Sequence, residues 1–176
     1  MIIVWYKKDL RLHDHAPLFE ASNSNQEVLH LYVFEPEMWC QEDYSLRHFY
    51  FLKDCIKDLS SELIRVKKTL VVKIGPIIDV LASIDQIKSI SKVVSYQETG
   101  NNWSYNRDKK IKRWFESKKI KWLEFPNNGI QRGLKNRDHW SENWYKRMTT
   151  EKIENHFNYS SFNIDSTSLE VAEKYV

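Results

Sequence analysis

A net charge of +3, from 27 lysines and arginines against 24 aspartates and glutamates in 176 residues, is too small to indicate nucleic-acid binding by itself. Only four glycines are present and the glycine-rich phosphate-binding loops are missing, which argues against an independent NAD dehydrogenase or hydrolase. The two cysteines, and an apolar N-terminal run that stops at Tyr6, exclude a disulfide framework and favour a cytoplasmic protein with no membrane contact.

Short apolar runs alternate with longer stretches of helical periodicity along the chain. The predicted strands are residues 2–6, 28–34, 70–74, 93–96 and 120–125. Between the second and third strands, residues 45–66 carry apolar side chains three and four positions apart, which predicts an amphipathic helix with Ser45 as its N-cap. Two further helices are predicted at 77–84, directly after Gly75-Pro76, and at 105–118.

Strands separated by helices require crossover connections, so the sequence predicts an α/β fold. We expect a doubly wound, mainly parallel five-stranded sheet with helices on both faces, a Rossmann-like architecture. Such sheets bind ligands beyond the carboxyl ends of their strands, where the strand order reverses. The loops at those ends are residues 7–14, 35–44, 75–76 and 97–104. The first and last are the most polar, so they are the candidate walls of a crevice.

The pattern changes after Pro126, where residues 127–148 mix glycine, asparagine, arginine and aromatic residues without a clear period. The predicted organisation is an α/β domain at 1–130, an aromatic and basic extension packed on it at 131–148, and a polar linker or arm at 149–176.

The loop at 7–14 follows a fully apolar strand with charged residues and contains neither glycine nor asparagine. Lys7 and Arg11 could hold a phosphate, a carboxylate or the edge of a planar ring, with Asp9 orienting the guanidinium of Arg11. A mutually neutralising surface network without any ligand explains the same residues equally well, and both interpretations stay open.

The loop after the fourth strand contains Glu98, Asn101 and Trp103. Carboxylate and amide groups can bind the hydrogen-bonding edge of a heterocycle, and the indole can stack on its face. The alternative is a simple helix entry, with Ser104 as N-cap and residues 107–108, an Arg-Asp pair, on the surface.

Eight basic residues stand against two acidic ones within residues 107–121. Such a basic helix could contact a phosphate backbone, although it is more often a solvated face.

Five stretches of the sequence, taken together, are specific enough to indicate a protein family. They are "VWYKKDLRLHDHAPLFEA", "YVFEPE", "SLRHFYFLKDCIKDLSSEL", "QETGNNWSYNRD" and "NGIQRGLKNRDHWSENWYKRM". In this order, from residue 2 to about 148, they resemble the DNA photolyase/cryptochrome family. The first carries the family's apolar strand, Trp, aromatic, two basic residues and Asp-Leu-Arg; His15 stands where the family usually has Asn.

The resemblance implies an N-terminal domain in which an antenna chromophore collects light and passes the excitation to FAD. Residues expected around the chromophore are Lys7, Asp9, Arg11, Phe34, Glu35, Arg47, Glu98, Asn101 and Trp103. Folate-binding members tend to carry an acidic residue shortly before the Arg-Asp pair, where this chain has Trp103, Ser104 and Tyr105. A flavin, a deazaflavin or a folate each stays open as the chromophore.

The resemblance also implies partners. We expect FAD to bind a downstream helical domain, supplied in cis or by a separate chain and absent from these 176 residues. Light-driven splitting of pyrimidine dimers in damaged DNA, or blue-light sensing, would belong to the complete protein, so this chain is expected to be inactive alone.

Two other functions compete with the antenna. One is a free-standing nucleotide- or flavin-binding α/β domain, against which the missing glycine-rich loop argues. The other is an interaction module without a chromophore, which would use the basic helix and the aromatic residues of 139–148.

Overall fold

The computed structural model of this protein describes residues 1–130 and 132–176. Its elements are β1 (Ile2–Tyr6), α1 (Ala16–Ser22), β2 (Val28–Phe34), α2 (Pro36–Trp39), α3 (Leu46–Arg65), β3 (Leu70–Ile74), α4 (Ile77–Ile87), β4 (Lys92–Tyr96), α5 (Asn102–Lys118), β5 (Lys121–Phe125) and α6 (Trp140–Met148). A 3₁₀ helix at Leu169–Tyr175 follows. Among the described residues, no helix is long and apolar enough to cross a membrane.

The five strands form one parallel sheet in the order β3-β2-β1-β4-β5, which confirms the predicted doubly wound fold. From β1 the chain proceeds outward through β2 to β3, then crosses to the other side of β1 to add β4 and β5. The order therefore reverses between β1 and β4, which places the tips of the first and fourth strands side by side, as expected of a ligand-binding crevice. The central position of β1 explains its uninterrupted apolar sequence, because both of its faces are buried.

Alternate residues of β1 face two separate halves of the core. Val4 and Tyr6 pack on one face of the sheet with residues of α1 and α3. Ile3 and Trp5 pack on the opposite face with residues of α4 and α5. This period of two follows from the pleat of a strand, and it fixes which face each charged residue after Tyr6 can reach.

Three helices were not expected from the sequence. Helix α1 is only seven residues long and α2 only four, so neither shows a helical period. Helix α6 was not predicted, although Trp140, Trp144 and Met148 are spaced four residues apart on one side of it, because the surrounding residues 127–148 show no clear period. The N-cap of α5 is Asn101, whose side chain accepts a hydrogen bond from the Ser104 amide at 3.0 Å. The alternative interpretation, in which Ser104 caps this helix, was wrong, because α5 begins two residues before it.

Residue His15 is the N-cap of α1, in the position where the resembled family usually has Asn. Its Nδ1 accepts a hydrogen bond from the Leu18 amide at 3.1 Å, as an asparagine oxygen would. Because Nδ1 accepts, the proton lies on Nε2, which donates to the carboxylate of Asp9 at 2.7 Å. The imidazole therefore caps the helix and also anchors the loop after β1.

The C-terminal part of the chain packs against the sheet. The backbone of residues 160–162 pairs with Val28 at the start of β2, and the Thr167 amide donates to the Val72 carbonyl of the edge strand β3. Leu169 and Ala172 are buried in the core that α3 covers. The division at 1–130, 131–148 and 149–176 stays a prediction; Gln131, the first residue of the predicted extension, lies outside the described residues.

A buried histidine joins this C-terminal segment to the sheet. His30 on β2 lies between the hydroxyls of Tyr6, at 3.0 Å from Nδ1, and Tyr159, at 2.9 Å from Nε2. Burial, with smaller contributions from nearby Lys68 and His15, lowers the pKa of His30 from 6.5 to about 3. The neutral ring has one donor and one acceptor nitrogen, so one tyrosine donates to it and the other accepts from it.

We expect this histidine to make folding sensitive to acid. Between pH 6.5 and about 3 the unfolded chain binds a proton at His30 that the folded chain does not, so stability falls as the pH falls. Compared with His30→Asn, the native protein should lose up to about 1.4 kcal/mol more free energy of unfolding per pH unit below 6. Urea unfolding at pH 4.5, 5.5 and 7.5 measures this, and parallel stability curves for the two proteins would contradict it.

Candidate functional site

A cleft of about 510 Å³ opens at the carboxyl ends of the strands around the reversal point, and we call it the switch-point cleft. The first loop contributes Lys8, Leu10 and Arg11 to its walls, and the end of β2 contributes Glu35. The remaining lining comes from the ends of β1 and β2, from α2, α3 and Tyr44 between them, and from Glu98 and Arg107. Its volume lies within the range of roughly 300–1,000 Å³ that small-molecule sites occupy.

One side of the switch-point cleft is aromatic. The indole of Trp39 stacks on the buried ring of Phe34 with centroids 5.2 Å apart and planes 13° apart. Tyr44 packs against the same indole at 4.9 Å, and Phe49 supports both Phe34 and Trp39 edge-on from beneath. This layered packing fixes Trp39, which is only 6% exposed, and leaves the half-buried ring of Tyr44 as the more accessible aromatic surface of the cleft wall.

The other side is polar and is organised by one guanidinium. Arg107 of α5 donates hydrogen bonds to Glu35 at 2.7 Å, Glu98 at 2.6 Å and Asp108 at 2.8 Å. All four side chains are less than a tenth exposed. Buried charges are stable only when they are paired in this way, so the ends of β2 and β4 are fixed against α5.

Opposite charges balance around Arg107. The basic members of this charge cluster are Lys7, Lys8, Arg107 and Arg132, and the acidic members are Glu35, Glu98, Asp108 and Glu124. Burial acts to raise the pKa of Glu98, but Arg107, Lys7 and Lys8 outweigh it and lower this pKa below its usual value. At Glu35 the effect of burial is larger than that of the positive charge of Arg107, so the pKa of Glu35 is raised.

The ammonium of Lys7 is the least well paired member of the charge cluster. It lies 3.9 Å from both Asp108 and Glu124 and has no hydrogen-bond partner among the described residues. It also lies over the ring of Trp5, whose centroid is 4.2 Å away. Burial lowers the pKa of Lys7, and the two carboxylates oppose that shift. The cation–π contact replaces part of the hydration that this ammonium loses.

The structure brings four of the nine expected site residues to the switch-point cleft. They are Lys7, Arg11, Glu35 and Glu98. The guanidinium of Arg11 also makes contacts within the protein. It donates hydrogen bonds to the carbonyls of His13 and Asp14 and lies over the ring of Tyr96.

The other five residues lie elsewhere. Asp9 is buried beneath the loop against His15, and Phe34 is buried behind Trp39. Arg47 is exposed on α3 and does not line the cleft. Asn101 caps α5 and donates to Asp43, whereas Trp103 lines a neighbouring depression that shares Glu35 and Arg107 with the cleft.

Sequence reasoning missed Arg107 as a site residue. The alternative interpretation, with Arg107 and Asp108 as a surface pair, was wrong, since both side chains are buried in the charge cluster. Arg107 therefore does not belong to the basic face of α5 either. A signal was present in the buried apolar positions Ile111 and Phe115, which lie four and eight residues further on and share its side of the helix.

The switch-point cleft is suited to holding and orienting a planar ligand. Its aromatic wall offers stacking faces, and its polar wall offers carboxylate, ammonium and guanidinium groups for the heteroatom edge of a ring. No bond-making step is required of these residues for such binding.

Comparisons with known proteins match this chain to photolyases and cryptochromes. The family model described as DNA photolyase matches residues 2–132. A cryptochrome DASH of Gloeobacter violaceus is 33% identical over 79 residues, which are 42% of this chain and 16% of that protein. The deoxyribodipyrimidine photo-lyase of Escherichia coli is 28% identical over 117 residues, 63% of this chain and 24% of that protein.

Solved structures show the same fold. A bacterial class III photolyase from Agrobacterium tumefaciens superimposes with a TM-score of 0.78 at 18% identity. The matched region is 97% of this chain and 37% of the photolyase chain. An archaeal photolyase from Sulfolobus tokodaii, solved with two FAD molecules, has a TM-score of 0.73 at 18% identity and covers 99% of this chain and 41% of its own. This chain therefore spans well under half the length of the relatives it matches.

Removal of the central guanidinium should destabilise the fold. Arg107→Met leaves Glu35, Glu98 and Asp108 buried without their main partner, which should cost about 3–5 kcal/mol of unfolding free energy at pH 7. The deficit should shrink at pH 4, because the buried carboxylates can then bind protons. Urea unfolding measures both values.

The matched control is Arg113→Met, which removes an exposed arginine from the same helix. This change should stay within about 0.5 kcal/mol of the native protein. Equal effects of the two substitutions would show that Arg107 does not organise the site.

Proposed function

Because the chain belongs to the DNA photolyase family, as a photolyase/cryptochrome N-terminal domain, we propose that its switch-point cleft holds an antenna chromophore. The observation that carries this proposal is the cleft itself, with an aromatic wall opposite the charge cluster at the reversal of strand order. Light collection requires a rigid and well-oriented site and no nucleophile, which agrees with the composition of the lining.

Each wall has a distinct role in this proposal. The ring system of the chromophore stacks on Trp39 and Tyr44, which the rings beneath them hold in place. Its polar edge faces Glu98 and Lys8, which are themselves paired at 3.4 Å. The side chain of Leu10 and the guanidinium of Arg11 form the wall of the cleft that the first loop contributes.

A flavin or deazaflavin fits this site better than a folate. Folate-binding members of the family tend to carry an acidic residue at the start of α5, where this chain has Trp103, Ser104 and Tyr105, and the Asn101 side chain is used there as the helix cap. The Sulfolobus tokodaii photolyase contains two FAD molecules and is described as implying a novel light-harvesting cofactor. An isoalloxazine ring is flat and has heteroatoms along one edge, which matches the two walls of the cleft.

The remaining parts of the function concern the complete protein. We propose that the excitation passes to FAD in a helical domain, in cis or on a separate chain, and that the assembled protein repairs damaged DNA or senses blue light. Family membership supports both. The two free cysteines support the proposed cytoplasmic location.

Reconstitution with riboflavin tests the antenna proposal, because riboflavin has the ring system but no phosphate. The full chain should bind it saturably, with a shift of the flavin absorbance spectrum. Cys55 lines the cleft and Cys40 does not, so bound riboflavin should slow alkylation of Cys55 and leave Cys40 unchanged. Mass spectrometry of the alkylated chain locates each modification.

The proposal fails if flavins, deazaflavins and folates all leave the alkylation rate of Cys55 unchanged. A colourless chain that binds DNA in a salt-sensitive way would favour the interaction module instead. Leu52→Trp, which places a large ring in the cleft, should abolish riboflavin binding, whereas Phe19→Trp at an exposed position outside the cleft should not.

A further inference from the structure

A second cavity, which we call the basic pocket, lies beyond the carboxyl ends of β4 and β5 and shares no lining residue with the switch-point cleft. Its volume is about 500 Å³. The chain that follows β5 contributes Pro126, Asn128 and Gly129, and α6 contributes Asn143 and Trp144. A cavity of this size accommodates a small organic ligand.

The charges of the basic pocket have one sign. Arg132, Lys146 and Arg147 line it, and no carboxylate lines it within residues 1–130 and 132–176. Arg132 is neutralised by two carboxylates of the charge cluster, at 3.1 and 3.2 Å. Lys146 has no ion pair among the described residues, and Arg147 donates only to the carbonyl of Pro126. Two cations without an ion pair among the described residues therefore line one cavity, which favours an anionic ligand.

An aromatic ring is fixed beside these cations. Trp144 packs so closely on Gly129 that a Cβ atom at position 129 would overlap the indole ring. Trp140, one turn earlier on α6, stacks with Trp144 at a centroid distance of 6.5 Å and an interplanar angle of 28°. Trp144 is nevertheless 41% exposed. An indole that is held in place and still exposed is a ready stacking surface for a base.

We infer that the basic pocket binds a free mononucleotide. Its base stacks on the indole of Trp144, its phosphate lies between Lys146 and Arg147, and the amide of Asn143 binds the edge of the base. The pocket requires both parts of this ligand, because the ring without phosphate leaves the cations unpaired and the phosphate without a ring leaves the indole exposed. The inference is independent of the chromophore in the switch-point cleft.

Calorimetric titration of the full chain with AMP tests this inference. AMP should bind with one site per chain, and adenosine and inorganic phosphate should each bind at least tenfold more weakly. Lys146→Gln with Arg147→Gln should weaken AMP binding at least tenfold. The matched control, Lys112→Gln with Lys118→Gln on the exposed face of α5, removes the same charge and should change the affinity less than twofold.

Gly129→Ala supplies a second variant that keeps every charge. The added methyl group must displace the indole of Trp144, so AMP binding should weaken while phosphate binding stays unchanged. Thermal unfolding verifies that each variant is folded.

Several results would overturn the inference. Equal losses in the two double variants would indicate a general effect of charge, and equal affinity for phosphate and AMP would indicate a simple anion site. Binding of a short thymidine oligonucleotide without binding of AMP would indicate a single-stranded nucleic-acid surface. Absence of saturable AMP binding overturns the mononucleotide assignment outright, whatever riboflavin does.

Discussion

The guanidinium of Arg107 holds three carboxylates from three parts of the chain, and the geometry of the site depends on that arrangement. Glu35 follows β2, Glu98 follows β4, and Asp108 is the next residue on α5. Charges buried to this extent are tolerated only when they are paired, so each of these segments has to end where the guanidinium can reach it. The spacing between the ends of β2 and β4, and thus the width of the crevice across β1, follows from this requirement.

The same constraint explains why a fully buried strand ends in charged residues. Strand β1 lies at the centre of the sheet, and its tip opens into the switch-point cleft instead of bulk water. Lys7 continues the alternation of β1 toward the face that α5 covers, where it contacts the ring of Trp5 and two carboxylates. Asp9 turns back to His15 and fixes the loop. Part of the charge thus neutralises itself within the protein, and part faces the cleft.

A minority of the residues that line the candidate site could be predicted from the sequence. Polar loops after parallel strands identify the correct edge of the sheet, so Lys7, Arg11, Glu35 and Glu98 were expected at the cleft and lie there. The aromatic wall was not predicted, because α2 is too short to show a period that would orient Trp39. Arg107 was missed because it was counted with the basic residues of α5, although Ile111 and Phe115 on the same side of the helix indicated a buried position.

Local sequence patterns were sufficient to predict the five strands, the three longer helices and the parallel α/β class. Burial imposes a period of two on strand residues and of 3.6 on helix residues, and both periods can be read from neighbouring positions. The family motifs also lie in short stretches of the sequence. Only the tertiary structure decided that β1 lies between β2 and β4, that Glu35 meets a guanidinium 72 residues away, and that residues 160–172 pack on β2 and β3. Pairings over such separations depend on where whole elements dock, and no local periodicity encodes that.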